Sequence, residues 1–287
     1  MTGMRTVELS SGTVEYRDSR GKGPVLVLTH GLLMDESVWS RVIPQLTDAF
    51  RCIAPTFPVG AHRLPMHQFA DLSQQGLANL LGEFLDALDL RAVTLVVNDL
   101  GYPQALAADE QPRVAGLVLT PCEAFGNVPP GLPGKTVDLA ARLPGGLLLA
   151  SASLLIPGVA RAPFTLGRMS IGPIPRKLLT GWLRPSRRDR KVRADLKKYV
   201  DGATSRWQLE TTERLSGFRG PSLVIWGRED KVMPPEHARQ LAQTLTDARL
   251  VMVDHSRTLM PLDAPEVLAS HIREFVLARV VGPGDHS

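Results

Sequence analysis

The chain has 287 residues, of which 44% are hydrophobic and 22% are charged, and its net charge at pH 7 is +4. This composition predicts a globular protein with a sizeable core, long enough for one large α/β domain with an insertion. Two cysteines, Cys52 and Cys122, are too few for a disulfide framework, and the opening residues MTGMRTVELSSG lack the apolar core of a signal peptide. We therefore expect a cytoplasmic protein.

Strand and helix signals alternate along the first third of the chain. The segments TVELSSG and TVEYRDS predict an antiparallel hairpin, and PVLVLTHG is the first continuous apolar strand. A helix from about Glu36, a strand over RCIAPTF and a long helix with Ser73 as its N-cap are predicted next. The apolar stripe of the long helix has helical spacing. It consists of Leu77, Leu80, Leu81, Phe84, Leu85 and Leu88.

The alternation is interrupted once, in the middle of the chain. The strand AVTLVVN, a helix from Gln104 to about Glu110 and the strand VAGLVLTP precede the interruption. Residues 124–220 are rich in Pro and Gly at first and then helical, which predicts a cap over the carboxyl edge of a mostly parallel sheet. PSLVIWG, PEHARQLAQTL, RLVMVD and PEVLASHIREFVLAR then give strand, helix, strand and helix. Residues 1–123 and 221–287 are thus the predicted α/β core.

Two segments bear on possible partners. The most apolar stretch, residues 145–160, is too short to span a membrane, and we interpret it as a buried helix. Residues 184–198 carry eight basic side chains against two aspartates, which predicts a solvated helical face. No nucleic-acid-binding pattern is present, and His237, His271 and His286 lack metal-ligand spacing. We expect a small-molecule substrate, no nucleic-acid or membrane partner and no metal or cofactor, and the oligomeric state is left open.

The turn Asn98-Asp99-Leu100-Gly101 is the most informative short motif. The apolar run before it predicts a buried strand and the residues after it predict a helix, so the turn joins the two tightly. Asp99 stands at its apex. An aspartate there has two interpretations: a reactive carboxylate held above a sheet, or a helix N-cap without catalytic duty.

Four landmarks together resemble the α/β-hydrolase superfamily over nearly the whole chain outside the cap. They are the His30-Gly31 pair, the turn at Asp99, WGRED ending at Asp230, and PLDAPE at residues 261–266. The resemblance implies a mostly parallel eight-stranded sheet flanked by helices, with the turn as a nucleophile elbow. An elbow aspartate resembles haloalkane dehalogenases and epoxide hydrolases. In those enzymes a carboxylate displaces a group from an sp³ carbon and forms an alkyl-enzyme ester that water hydrolyses.

The same resemblance assigns supporting roles to other residues. The backbone N–H groups of Leu32 and Leu100 would form an oxyanion hole. Asp230 matches the acid that follows the seventh strand, and Glu123 falls where some dehalogenases place their acid. Each of these carboxylates has the alternative of a plain loop residue.

The histidine base of the family is missing. The usual ending places Arg257 at the conserved glycine and Thr258 at the histidine, and a threonine hydroxyl does not accept a proton near pH 7. His255 lies three residues upstream and is the first substitute, although a surface role is favoured. His62 and Arg63, in a loop at the mouth of the site, form a second candidate pair that replaces the base or binds an anionic group.

The remaining assignments concern the substrate side of the site. His30, Gly31, Glu123, His62 and Arg63 are predicted to surround the substrate. Leu100 replaces the tryptophan that dehalogenases use to bind halide, and only one tyrosine falls in the cap, where epoxide hydrolases have two. The N-D elbow, the GAHR loop and the threonine resemble a loosely defined bacterial group of α/β-hydrolase-fold proteins.

Three hypotheses follow from these residues. The first is an enzyme that hydrolyses a small or medium apolar substrate through an ester on Asp99, with Asp230 or Glu123 orienting a base or a water. The second is a non-hydrolytic biosynthetic enzyme (elimination, cyclisation or rearrangement) in which a desolvated Asp99 is a general acid or base. The third is a catalytically dead binding protein.

Overall fold

The computed structural model describes residues 3–280 and contains one twisted sheet of eight strands. Their spatial order is β1-β2-β4-β3-β5-β6-β7-β8; β2 pairs antiparallel with β1 and β4, and all other neighbours are parallel. This confirms the predicted α/β fold with a mostly parallel eight-stranded sheet. The strands are β1 Arg5–Leu9, β2 Gly12–Asp18, β3 Val25–Leu28, β4 Arg51–Thr56, β5 Val93–Asp99, β6 Val114–Cys122, β7 Ser222–Gly227 and β8 Ala248–Val253.

Ten α-helices lie among the described residues. Five of them (α1, α2, α8, α9 and α10) flank the sheet, and five (α3 to α7) lie between β6 and β7 in the chain. They are α1 Gln74–Ala87, α2 Gln104–Ala108, α3 Gly131–Arg142, α4 Gly146–Ser153, α5 Arg176–Arg188, α6 Arg190–Gly202, α7 Ser205–Arg214, α8 Pro235–Thr244, α9 Met260–Asp263 and α10 Pro265–Phe275. We call residues 124–220 the helical insertion.

The long helix α1 forms as its sequence predicts. The Ser73 hydroxyl accepts a hydrogen bond from the Gly76 N–H at 3.1 Å, satisfying one of the donors that a helix start leaves free. The predicted apolar stripe is buried from Leu77 to Leu85, while Leu88 is only partly buried. The stripe packs α1 onto the sheet.

Two predicted helices in the core differ from the structure. The segment from Glu36 forms two short 3₁₀ turns, Glu36–Trp39 and Ile43–Gln45, in place of an α-helix. Pro44 has no N–H to continue a hydrogen-bonded helix from the first turn. The helix that begins at Gln104 ends at Ala108, two residues before the predicted end.

The helical insertion contains no strand among its residues, as predicted, but residues 145–160 are not a buried helix. Only Gly146–Ser153 is helical, and the Leu149 and Ile156 side chains are 70% and 56% exposed. That prediction was wrong because hydropathy reports what a segment could bury and not whether a neighbour covers it. None of the helices between residues 3 and 280 combines the length and apolar character needed to cross a bilayer.

Four aromatic rings tie the sheet to the elbow. Tyr16 of β2 packs edge-on against Phe84 of α1 with centroids 5.4 Å apart, Phe84 against Phe57 at 6.0 Å, and Phe57 against Tyr102 at 5.8 Å. Edge-to-face pairs at these distances add to the free energy of burial. The row therefore couples the first hairpin to the turn that carries Asp99.

We expect the Phe84→Ala substitution to lower the free energy of unfolding by about 3–5 kcal/mol, because it removes a fully buried ring and leaves a cavity. Denaturant unfolding followed by circular dichroism measures this. The matched control is Phe69→Ala, whose ring is 93% exposed and whose removal should change stability by less than about 0.5 kcal/mol. Equal effects of the two substitutions would contradict the packing described here.

Candidate active site

The turn at Asp99 has a strained backbone. Asp99 has φ +66°, in the left-handed region that side chains other than glycine rarely adopt, and the Leu100 N–H donates back to the Asn98 carbonyl at 2.9 Å. The Asn98 side-chain amide holds the turn by donating to the Thr120 hydroxyl at 2.9 Å and to the Thr258 carbonyl at 2.8 Å. Strained residues that surrounding bonds enforce in this way cluster at functional sites.

The Asp99 carboxylate is buried and does not cap a helix. Helix α2 has Pro103 at its N-cap position, without a side-chain cap. Asp99 Oδ2 instead accepts a hydrogen bond from the Leu32 N–H at 2.9 Å, across the sheet from its own turn. The N-cap interpretation of Asp99 therefore fails.

Gly31 makes room for this carboxylate. A Cβ built on Gly31 would lie 2.0 Å from Asp99 Oδ2, far inside van der Waals contact. The residue was predicted to face substrate, and it faces Asp99 instead. Leu100 was predicted to be an oxyanion-hole donor, but its N–H donates to the Asn98 carbonyl. Of the two predicted oxyanion-hole donors, Leu32 alone reaches the Asp99 carboxylate here.

Glu123 follows β6 and packs directly against the elbow. Its N–H donates to the Asp99 carbonyl at 2.8 Å, and its Oε2 accepts from the Gly101 N–H at 3.1 Å. Its carbonyl accepts from the side-chain amides of Gln104 at 2.7 Å and Gln208 at 3.2 Å. The structure thus brings Glu123 and Asp99 together.

Asp230 and Thr258 form a separate pair beside the elbow. Asp230 Oδ1 accepts from the N–H groups of Val232 at 2.8 Å and Met233 at 2.9 Å. The Thr258 hydroxyl lies 3.0 Å from both Asp230 oxygens, to which it donates, and is fully buried. Because this proton is already shared with Asp230, Thr258 is a fixed hydrogen-bond donor in this structure.

Three carboxyl groups are therefore buried close to one another without a compensating cation. Burial raises the pKa of Asp99 to about 6, with the Leu32 N–H opposing the rise, and raises that of Asp230 to about 7. Burial, reinforced by the charge of Asp99, raises the pKa of Glu123 to about 8. In the described part of the chain, no Lys, Arg or His forms an ion pair with any of the three. Desolvation governs all three pKa values.

Two buried histidines, predicted to surround the substrate, make hydrogen bonds within the protein. His30 donates from Nδ1 to the Gly31 carbonyl and accepts at Nε2 from the Phe57 N–H, both at 2.9 Å, and burial lowers its pKa. His62 accepts at Nδ1 from the Gly60 N–H at 3.3 Å and reaches Asp195 of α6 from Nε2 at 3.2 Å. His62 therefore joins the core to the helical insertion.

His255 and Arg63 also lie away from the elbow carboxylate. His255 is exposed after β8, and its N–H donates to the Glu229 carboxylate at 3.2 Å. Arg63 is engaged by three carboxylates, those of Glu15, Asp35 and Glu36, at 3.0 to 3.4 Å. Neither contacts Asp99, so the structure does not assemble the predicted replacements for the missing base.

A small cavity of about 40 Å³ lies beside the elbow, and two of its lining residues hydrogen-bond Asp99. Leu32 and Glu123 line it on the core side, and Gly134, Val137 and Tyr199 are among the insertion residues that close it. Among residues 3–280, no group of three or more His, Cys, Asp or Glu side chains is arranged to hold a metal ion. The lining is mostly apolar, and Glu123 and Asp138 are its two carboxylates.

Two tyrosines near the carboxylates were missed as site residues by sequence reasoning. The hydroxyls of Tyr199 and Tyr102 are buried and without a hydrogen-bond partner in the described structure. Burial raises the pKa of both, and the charges of Glu123 and Asp99 add to that of Tyr199. The available signal was Tyr199's position in the insertion, but no local pattern indicates where its ring points.

Comparison with known proteins decides the family. The profile of the alpha/beta hydrolase fold matches residues 24–265, which includes the elbow, Asp230 and the segment up to α10. The chain belongs to the α/β-hydrolase-fold family. This confirms the family to which the four sequence landmarks point.

Relatives and solved structures agree with this assignment. The chain is 26% identical to the uncharacterized hydrolase YugF of Bacillus subtilis, covering 95% of this chain and 97% of that protein. It is also 26% identical to haloalkane dehalogenase 2 of Mycobacterium tuberculosis H37Rv, covering 94% and 93%. The haloalkane dehalogenase DbeA from Bradyrhizobium elkani superposes with a TM-score of 0.75 at 17% identity, covering 96% and 97% of the two chains. These relatives agree with a hydrolase of this family and leave its reaction open.

The buried carboxyl of Asp230 should make stability fall as the pH rises. Its pKa of about 7 in the folded protein exceeds the value of about 4 in an unfolded chain, so the folded state binds more protons between these pH values. From pH 4 to pH 7 we expect the wild type to lose unfolding free energy relative to Asp230→Asn, with a slope approaching about 1.4 kcal/mol per pH unit.

Denaturant titrations across this pH range measure the difference, and Asp254→Asn at an exposed position controls for the loss of one carboxyl. A constant difference between wild type and Asp230→Asn across the range would contradict a buried, desolvated Asp230.

Proposed function

We propose that the protein hydrolyses a small or medium apolar substrate through an alkyl-enzyme ester on Asp99. The observation that carries this proposal is the Asp99 carboxylate, held on a left-handed turn by the Leu32 N–H and engaged in no helix cap. A capping or loop aspartate needs neither the strained backbone nor the space at Gly31. We further propose that the helical insertion is a cap domain, residues 124–220, over a core of residues 1–123 and 221–287.

The contact to Leu32 suits both halves of such a reaction. Asp99 attacks an sp³ carbon through one carboxylate oxygen, and the bond to the leaving group breaks with its electron pair. Oδ2, bonded to the Leu32 N–H, then becomes the carbonyl oxygen of the ester. When water attacks that ester, negative charge develops on Oδ2, where the N–H already points.

Glu123 donates and accepts the protons that a histidine would transfer in this family. At neutral pH its pKa of about 8 keeps it protonated while Asp99, with a pKa of about 6, is ionised. Where the leaving atom is oxygen, the Glu123 carboxyl donates its proton to it. The resulting carboxylate then takes a proton from the water that hydrolyses the ester, which restores both groups. Where the leaving atom is a halide, which departs without a proton, the ionised fraction of Glu123 accepts the proton of the water and afterwards releases it to solvent. Tyr199, whose free hydroxyl lies at the cavity, can hydrogen-bond the same leaving atom.

Thr258 and Asp230 have a supporting role in this proposal. We place Thr258 at the family's histidine position, where its hydroxyl donates to Asp230 and its carbonyl accepts from Asn98. The pair holds the elbow and does not transfer protons. His255 takes no part because it is exposed.

A non-hydrolytic reaction is the second candidate, and one observation favours it. No histidine ring contacts Asp99, Glu123 or Asp230 in the described structure, so the usual base for ester hydrolysis is absent. An Asp99 with a pKa of about 6 would also suit direct proton transfer to and from a substrate. The two candidates differ in whether a covalent ester forms.

Labelled water tests whether Asp99 forms a covalent ester. Over many turnovers in H₂¹⁸O, ester hydrolysis exchanges an oxygen of the Asp99 carboxyl, so we expect the peptide that contains Asp99 to gain mass by mass spectrometry. Candidate substrates are haloalkanes and epoxides of graded size. Asp99→Asn should lose turnover by at least about 10⁴-fold, since the nucleophile is gone.

The outcomes separate the hypotheses. Turnover without ¹⁸O in Asp99 supports the non-hydrolytic reaction. An Asp99→Asn protein that binds ligand with altered affinity, from a parent that turns nothing over, supports a binding protein. Both outcomes contradict the proposed ester.

Glu123→Gln tests the proton carrier. The amide oxygen can still accept from the Gly101 N–H, so the elbow should be preserved, but no proton can be taken from water. With a haloalkane, whose leaving halide needs no proton, we expect ester hydrolysis to slow by about 10²–10⁴-fold and the alkylated protein to accumulate in the mass spectrum.

The pH profile gives a second measurement of the same role. For the wild type with an epoxide, kcat/KM should rise through about pH 6 as Asp99 ionises and fall through about pH 8 as Glu123 loses its proton. The alkaline fall should vanish in Glu123→Gln. A variant with unchanged turnover and an unchanged alkaline limb would remove Glu123 from the mechanism.

A further inference from the structure

Basic charge is concentrated in one part of the helical insertion. Residues 131–198 contain fourteen Lys and Arg against three Asp, a net charge of +11. The whole chain carries only +4, so the remainder carries −7. The molecule is therefore strongly polarised, and its attraction to anionic surfaces is localised rather than spread.

Exposed apolar side chains are concentrated in the same segment. Of the thirteen large apolar side chains that are exposed in the described structure, eight fall between residues 132 and 171. We call these eight the outer apolar surface: Leu132, Leu139, Leu143, Leu148, Leu149, Ile156, Phe164 and Ile171. Exposed apolar residues scattered singly over a surface are ordinary, whereas a contiguous patch of them marks an interaction site.

The two features meet in one groove. A groove of about 370 Å³ is bordered by the end of α3, the start of α4 and one side of α6. Leu143 and Leu148 line it together with the cations of Arg142, Arg190 and Lys197. Arg142 and Lys197 pair with aspartates one helical turn away, and such exposed pairs are weak enough to leave both cations available to another anion.

Helix α3 relates this surface to the candidate active site. Gly134 and Val137 of α3 line the cavity beside Glu123, whereas Leu139 and Leu143 are exposed. One helix thus separates the cavity from the outer apolar surface. A partner bound to that surface would contact the helix whose other residues line the cavity.

We propose that the outer apolar surface docks onto an anionic lipid bilayer, with its leucines in the acyl boundary and the surrounding cations on lipid phosphates. Apolar side chains beside a dense basic charge are the combination that binds interfacially. Only one of the eight side chains is aromatic, whereas single-stranded nucleic acids are bound through aromatic stacking. This proposal departs from the sequence expectation of no membrane partner, and its further consequence, that the bilayer presents apolar substrates to α3, rests on the proposed function.

Vesicle sedimentation tests the proposal on the full-length protein. With vesicles of phosphatidylcholine alone we expect little binding, and with vesicles that also contain phosphatidylglycerol we expect strong binding that weakens as salt is added. Arg142→Gln with Arg190→Gln should weaken binding to the anionic vesicles by about 25-fold, about fivefold for each cation. Leu143→Ser with Leu149→Ser should weaken it by at least about tenfold.

Matched variants on the core control for net charge and for exposed apolar area. Arg91→Gln with Arg228→Gln removes two exposed cations, and Phe69→Ser removes the most exposed ring. Both should bind anionic vesicles like the wild type. Thermal melting confirms that every variant is folded.

Three results would overturn the proposal. The first is equal binding to the two vesicle types, or retained binding by the double leucine variant. The second is no vesicle binding together with a dimer in sedimentation velocity that the leucine variant dissociates, which assigns the surface to a second copy of the chain. The third is binding to single-stranded DNA or RNA but not to vesicles.

Discussion

The hydrogen bond from the Leu32 N–H to Asp99 Oδ2 is the contact on which the site depends. It forms only because Asp99 adopts a left-handed backbone and because Gly31 has no side chain to exclude the carboxylate. Both conditions are imposed from outside the turn. The Asn98 amide ties the elbow to Thr258, and His30 ties Gly31 to Phe57, so the donor and the acceptor belong to one rigid edge of the sheet.

The site's dependence on this hydrogen bond explains what His30 and Thr258 do: both hold the backbone beside Asp99 in place. His30 and Thr258 satisfy buried backbone or carboxylate groups, and each would leave an unpaired polar partner if removed. On the proposal that Thr258 stands at the family's histidine position, the geometry of that position is retained while its proton chemistry has changed.

The sequence was sufficient for features set by local pattern, such as the strands, the Ser73 cap and the apex position of Asp99. It was insufficient where the partner lies far away in the chain. His62 pairs with Asp195, 133 residues later, and no local spacing encodes that bond. The same applies to the buried hydroxyl of Tyr199, and to Leu149, which hydropathy assigned to the interior although it is largely exposed.

No histidine ring contacts the three buried carboxyls in the described structure, and this affects their pKa values. A protonated imidazole among them would favour their ionised forms, and without it burial alone sets their pKa values. Asp99 and Glu123 are then separated in pKa by their surroundings, one ionised and one protonated near pH 7. Under the proposed function such a site retains proton transfer, because the carboxylate form of the group with the raised pKa is a base of suitable strength. Threonine at position 258 is thus compatible with the proposed hydrolysis, in which the proton moves through Glu123.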